Sequence, residues 1–208
     1  MKILPDELTS YLESLLPERD ANFYRMEERA KADGFPIIGP LVGNYLAQLA
    51  ASISAKNIME LGSGFGYSAL WFSTVLPEDG SIICTDGDPA NRSHAIDMFD
   101  TLDKSALITF HTGDALTVFK EQEDEFDLIF CDIDKHEYPQ AFEAAFPKLR
   151  SGGILAFDNA LWSGRMLEGD AVDSTKGVVE LNRRAFSEKG CQASIIPIRD
   201  GVLVCRKT

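Results

Sequence analysis

Basic residues are scarce in this sequence. Its 20 lysines and arginines face 33 aspartates and glutamates, a formal net charge of -13. That far field repels polyanions, which argues against a nucleic-acid partner. A basic cluster of Arg25, Arg29 and Lys31 is read as a solvated helix face. Cysteine is sparse too: Cys84, Cys131, Cys191 and Cys205 are widely separated. They form no C-x-x-C pattern and no disulfide framework, and read as reduced core thiols of a cytoplasmic protein. The first ten residues lack the apolar run of an export signal. Phe35 to Ala55 is uncharged, but Pro36, Pro40, Asn44 and Gln48 break it, so an amphipathic helix is expected there and no membrane span. With no internal repeat or Pro/Ser-rich linker, residues 1–208 are expected to form a single domain, a helical cap over 1–55 and an α/β core over 56–208.

The elements that are present alternate. Helices are expected over Pro5–Leu16, Arg19–Ala32 and Leu41–Ser54. After them come strands at Asn57–Leu61, Ser81–Thr85, Leu107–His111, Phe126–Cys131 and Ile154–Phe157. Helices are expected from Tyr67, after Pro89, after Asp114, near Tyr138–Leu149 and near Thr175–Ser187. This order marks βαβ units and a mostly parallel, doubly wound Rossmann-like sheet. Ala193–Ile198 and Val202–Arg206 are separated only by Arg199, Asp200 and Gly201. No crossover helix fits there, so the chain should close on an antiparallel hairpin.

The first strand runs through Glu60 into Gly62-Ser63-Gly64-Phe65-Gly66 and then a helix, the setting in which a glycine-rich turn lets a ligand approach the backbone. A dinucleotide fingerprint needs a glycine where Tyr67 stands, so G-x-G-x-x-G is absent. Asp86, Asp114 and Asp132 follow the second, third and fourth strands, whose ends converge on one crevice. A pyrophosphate would be repelled by that acidic crevice, whereas the cationic sulfonium and ammonium of S-adenosylmethionine suit it. Asp86 is placed to accept hydrogen bonds from ribose hydroxyls. The alternative for Asp88 and Asp114 is helix capping.

Two further clusters, Asp132-Ile133-Asp134-Lys135-His136 and Asp158-Asn159-Ala160-Leu161-Trp162, lie at the ends of adjacent strands. Asp132, Asp158 and Asn159 offer three hard oxygen ligands, which suits Mg²⁺, with Ca²⁺ or Mn²⁺ as alternatives, and leaves about half an octahedral shell open. His136 has no second His or Cys at ligand spacing, so zinc is not suggested.

Taken together, Met59-Glu60-Leu61-Gly62-Ser63-Gly64-Phe65-Gly66-Tyr67-Ser68, Gly113-Asp114-Ala115-Leu116, Asp132-Ile133-Asp134-Lys135 and Asp158-Asn159-Ala160-Leu161-Trp162 resemble the signature blocks of the caffeoyl-coenzyme-A and catechol O-methyltransferases. Leu149-Arg150-Ser151-Gly152-Gly153 and Pro197-Ile198-Arg199-Asp200-Gly201 also fit, and the likeness spans roughly residue 36 to the end. One departure is Ile38-Gly39-Pro40, which lacks the Ser that many relatives carry before the Pro. The resemblance implies an S-adenosylmethionine-dependent, divalent-cation-dependent O-methyltransferase acting on a small vicinal diphenol, and a homodimer. It implies that Glu60, Gly62, Gly64, Ser68, Asp86, Asp114, Ala115, Asp132 and Asp134 form the cofactor site. Asp132, Asp158 and Asn159 would bind the metal, Lys135 would sit beside the acceptor hydroxyl as base or electrostatic support, and Trp162 would wall the substrate ring. The alternatives are a methyltransferase of the same fold for a non-catechol acceptor, a nicotinamide oxidoreductase, or a non-catalytic S-adenosylmethionine sensor. The first 35 residues and the loop Ser163 to Asp173 carry no transferable pattern.

Overall fold

A computed structural model describes residues 2–169 and 172–208, so Asp170 and Ala171 of the loop after Trp162 lie outside the described residues. Three helices come first: α1 (Asp6–Ser14), α2 (Ala21–Asp33) and α3 (Gly39–Ser52). The alternating core follows as β1 (Asn57–Leu61), α4 (Tyr67–Ser73), β2 (Ser81–Asp86), α5 (Pro89–Thr101), β3 (Ile108–Thr112), α6 (Ala115–Glu121), β4 (Phe126–Cys131), α7 (Tyr138–Ala145), β5 (Leu149–Phe157) and α8 (Asp173–Ser187). The hairpin β6 (Cys191–Ile196) and β7 (Val202–Lys207) closes the chain.

The seven strands lie in the order β3-β2-β1-β4-β5-β7-β6. β1 through β5 pair in parallel, and β7 inserts antiparallel between β5 and β6. The chain winds outward through β2 and β3, then crosses back to start again at β4. The β1/β4 boundary is therefore the switch point at which strand ends splay and leave a crevice. Alternation along each strand supplies two cores, one per face. Ile58, Ile82, Leu128 and Phe130 pack with Val42 and Leu46 of α3, Phe72 of α4 and Phe99 of α5. Met59, Ile129, Leu155 and Phe157 pack with Phe119 of α6, Phe142 of α7 and Leu181 of α8. Each large side chain sealed from water contributes about 1.5–3 kcal/mol. Helix starts follow local chemistry: the Asp20 carboxylate accepts from Asn22 N at 2.8 Å, and Asp88 caps α5 by accepting from Ala90 N at 2.8 Å.

Two boundaries differ from the sequence expectation by more than two residues. α7 ends at Ala145, because Pro147 brings no amide hydrogen and the chain tightens into a short 3-10 turn over Phe146–Lys148. β5 begins at Leu149, five residues before the expected Ile154. Gly152 sits at φ 77° and the ladder with β4 shifts register between Phe126 and Leu128, so a glycine-rich stretch that reads as a turn is an irregular strand. α3 is 14 residues long, and among the described residues no helix is long and apolar enough to cross a membrane. The four cysteines are free thiols, three buried and Cys191 half-buried.

Candidate active site

The carboxyl ends of β1, β2, β4 and β5 open into a cleft of about 470 Å³. Its floor is the turn after β1. Gly62 adopts φ 84°, and a side chain there would come within 2.5 Å of the Asp132 carbonyl. The loop is tied to β2 on both sides: Ser63 N donates to Thr85 O at 2.7 Å, Thr85 N donates to Ser63 Oγ at 3.1 Å, and Gly62 N donates to Thr85 Oγ1 at 3.2 Å. Gly64 N donates to Asp86 Oδ2 at 3.1 Å, while Asp86 Oδ1 accepts from Asp88 N and from Asn91 Nδ2. Asp86 thus locks the glycine turn to the end of β2 and still faces the cleft.

Gly62, Gly64, Ser68, Asp86, Asp114, Ala115, Asp132, Asp134, Lys135, Asp158 and Asn159 are all brought together on the cleft wall. Asp114 does both jobs considered for it. Its carboxylate accepts from Thr117 N at 2.7 Å to cap α6, and it lines the cleft. A second bond, from the Thr117 hydroxyl, together with that from the amide holds its pKa below the usual carboxylate range.

Glu60 is placed differently. It is fully buried beneath the turn and is not part of the wall. Its Oε1 has no hydrogen-bond partner among the described residues, and Cys84 Sγ donates to Oε2 at 3.5 Å. Burial pushes its carboxyl from an ordinary 4.5 up to about 7, against the pull of the Ser68 and Ser63 hydroxyls. Ionising Glu60 therefore opposes folding: stability is greatest below the ordinary value and declines as pH rises from 4.5 to about 7. Glu60→Gln removes that decline. In scanning calorimetry of the ligand-free protein, the variant's melting temperature relative to the wild type should be higher at pH 8 than at pH 5; an equal gap at both would show that Glu60 does not titrate as its burial requires.

The deepest charged group on the wall is Asp158, 2% exposed, with Oδ1 unpartnered among the described residues. Burial first, then the nearby Asp132 charge, raises its pKa well above the usual carboxylate range. Asp132 is partly relieved, because Lys135 Nζ donates to its Oδ1 at 2.7 Å and to Ile133 O at 3.1 Å. Asn159 is held in the left-handed region at φ 56°, a conformation Asn tolerates, and its amide nitrogen reaches Asp200 Oδ2 at 3.5 Å. Among the described residues no three of His, Cys, Asp and Glu converge as a cage. The converging oxygen set is two carboxylates and one amide, and a buried carboxylate oxygen without a donor beside a second carboxylate is an arrangement that a hard cation completes.

Trp162 stands outside the wall. Its indole N–H donates to Thr175 Oγ1 at 3.1 Å, and its ring lies 6.0 Å from Lys135 Nζ, so it backs the lysine. Residues given no site role from the sequence complete the site. The link between α2 and α3 contributes Phe35, Pro36, Ile37 and Ile38, with Phe35 packed on Phe65 at 5.0 Å between ring centroids. Tyr138 donates its hydroxyl to the Asp158 carbonyl at 3.0 Å. Gly177 lets α8 close on the Lys135 turn; a side chain there would meet Lys135 O at 2.0 Å. The basic cluster on α2 is spread out: Arg29 pairs with Asp33 and His94, and Arg25 reaches Asn22.

Residues 26–208 match the family model described as O-methyltransferase. The chain belongs to the O-methyltransferase family. The expected enzyme class, an S-adenosylmethionine-dependent O-methyltransferase of the caffeoyl-coenzyme-A type, holds at that level. Caffeoyl-CoA O-methyltransferase of Pinus taeda is 33% identical over 178 residues, covering 79% of this chain and 69% of the relative. Caffeoyl-CoA O-methyltransferase 2 of Zea mays is 32% identical, covering 79% and 67%. Among solved structures, the O-methyltransferase TomG of Streptomyces achromogenes, in complex with SAM, superposes with a TM-score of 0.88 at 23% identity, covering 97% of this chain and 96% of that one. An O-methyltransferase of Bacillus cereus in complex with SAH gives 0.87 at 22% identity, covering 97% of each. These two share the fold of this family member.

Proposed function

We propose that this O-methyltransferase transfers a methyl group from S-adenosylmethionine to one hydroxyl of a small vicinal diphenol, with a divalent cation held by Asp132, Asp158 and Asn159. The observation that supports the metal is the buried Asp158 Oδ1, unpartnered among the described residues and within the influence of the Asp132 charge. A bound ion supplies Lewis-acid polarisation of the acceptor hydroxyl. The rest is the work of the chain. The turn Gly62–Gly66 gives the donor close access to backbone, Ser68 offers a hydroxyl at the start of α4, and Asp86 faces the position of a ribose. Asp114, Ala115 and Asp134 border the same end, and an acidic wall favours a donor with a sulfonium and an ammonium over a dinucleotide. Glu60, from beneath, sets the turn through Ser63 and Ser68.

Lys135 is anchored among the proposed ligands. Its Nζ, fixed by Asp132 and Ile133 O, stands where it can support a phenolate as the ammonium or take the proton of a phenol as the neutral amine. Trp162 and Tyr138 flank it with aromatic faces, at 6.0 and 5.4 Å from Nζ to the ring centroids. The resemblance also implies a homodimer, which light scattering checks.

Asp86→Ala should weaken S-adenosylmethionine by about 1.5–3 kcal/mol, the worth of a charge-assisted hydrogen bond, in isothermal titration. Unchanged affinity would remove Asp86 from the donor site. The reading as a whole is tested by a methyl-transfer screen over catechol, caffeate, a caffeoyl thioester and phenols with a lone hydroxyl, each with Mg²⁺. Transfer confined to the vicinal diols is expected; equal transfer to lone hydroxyls would move the assignment to a non-catechol acceptor.

A further inference from the structure

The cleft has a cation that neither the donor nor the metal reading uses. Asp86, Asp114, Asp132, Asp134, Glu137 and Asp158 line it, against Lys135 and Arg199. Lys135 is committed to Asp132 at 2.7 Å. Arg199 is exposed, lines the cleft, and makes no hydrogen bond or ion pair with any described residue. Its backbone is at φ 52°, a region that arginine rarely adopts. A strained residue persists where its surroundings over-determine it, and such residues concentrate at ligand sites.

The surroundings do fix it. Leu161 N donates to Asp200 O at 2.9 Å and Ala160 N donates to Gly201 O at 2.8 Å, clamping the β6–β7 turn to the segment that follows Asp158 and Asn159. The Asp200 carboxylate accepts from Ser163 N on the same segment. Gly201 has no room for a side chain, which would fall 2.5 Å from Leu161 Cγ. The guanidinium is thus carried on a rigid turn beside the proposed metal ligands. Sheet order says on which side. Strand ends meet the cleft in the sequence β2 with Asp86, β1 with Gly62, β4 with Asp132, β5 with Asp158, and then the β6–β7 turn with Arg199. The donor end is at β2 and β1, so Arg199 lies beyond the metal on the acceptor side. The Arg199 charge favours the ionised form of Asp158, but no hydrogen bond joins the two among the described residues, so the fork of the guanidinium is not committed to that carboxylate.

We propose that Arg199 binds an anionic group on the acceptor, so that the preferred diphenols carry a carboxylate or phosphate and bare catechol is a poor substrate. This rests on the diphenol reading above. A guanidinium presents a planar fork that matches either oxyanion with two parallel hydrogen bonds. Here it is a specificity residue, remote from the bond that is made.

The test compares wild type, Arg199→Gly and Arg199→Lys on methyl caffeate, which is neutral, on caffeate, which carries a carboxylate, and on caffeoyl-coenzyme A, which carries phosphates. Glycine suits the local φ, so the first variant should fold. The kcat/KM ratio of the anionic acceptor over the neutral ester should fall about tenfold or more in Arg199→Gly, chiefly through KM, with partial recovery in Arg199→Lys. Whichever anion loses more identifies the group recognised. Calorimetric titration of caffeate into the Mg²⁺-loaded proteins, which needs no turnover, should show the same loss of affinity. Unchanged ratios for both anions overturn the proposal. A wild-type enzyme that methylates none of the three acceptors fails the diphenol reading itself, and the specificity proposal with it.

Discussion

Asp158→Ala should abolish most methyl transfer, by about 10²–10³-fold in kcat/KM, while leaving a folded protein. The magnitude follows from several kcal/mol of metal-derived stabilisation lost, at about 1.4 kcal/mol per factor of ten. Folding should survive because Asp158 is a burden to the ligand-free protein: it is 2% exposed, its Oδ1 lacks a donor among the described residues, and burial beside Asp132 disfavours its charge. Circular dichroism of the metal-free variant should therefore show an unfolding temperature no lower than that of the wild type at neutral pH. Activity within threefold of the wild type would remove Asp158 from the metal site. Tyr138 bonds to the backbone carbonyl of this residue, so truncating the side chain leaves that contact in place.

Lys135→Ala should reduce turnover by about 10²–10⁴-fold if the lysine takes the acceptor proton, with donor affinity nearly unchanged. Its ammonium also balances Asp132 at 2.7 Å, so the variant leaves that carboxylate without its cation. Lys135→Arg separates the two contributions: it restores the charge beside Asp132 but supplies a group that does not deprotonate. Recovery with arginine would assign electrostatic support, and inactivity of both variants with intact metal affinity would assign proton transfer. A turnover within threefold of the wild type for Lys135→Ala would make the lysine a bystander.

Much of this site was legible because its residues sit where local pattern is strongest. The β1 and β4 runs, Asn57–Leu61 and Phe126–Cys131, are short, apolar and bounded by turn chemistry, and both appear with the expected limits. Asp86, Asp132 and Asp158 follow from strand ends, since the topology of a doubly wound sheet gathers those ends at one crevice. Depth was harder to read. Glu60 precedes the glycine turn by only two residues, yet the strand's alternation turns it beneath the turn, toward Cys84. Trp162 follows Asp158 and Asn159 closely, but its indole bonds back to Thr175 on α8, a partner thirteen positions away. Phe35 and Arg199 reach the cleft from the helical cap and the final hairpin, through packing that no local spacing encodes. The β5 boundary was missed for the opposite reason: Gly152 and Gly153 carry a turn signal that a strand irregularity also uses.

We propose that a divalent cation held by Asp132, Asp158 and Asn159 is required for methylation of a vicinal diphenol. The most direct test of this proposal is the rate of methyl transfer to caffeate by enzyme stripped with a chelator and shown by elemental analysis to hold no metal, before and after Mg²⁺ is restored. Near-complete loss on stripping and full recovery with Mg²⁺ are expected, because the proposed ion would be a replaceable cofactor of an already folded protein. Undiminished transfer by the metal-free enzyme would contradict it.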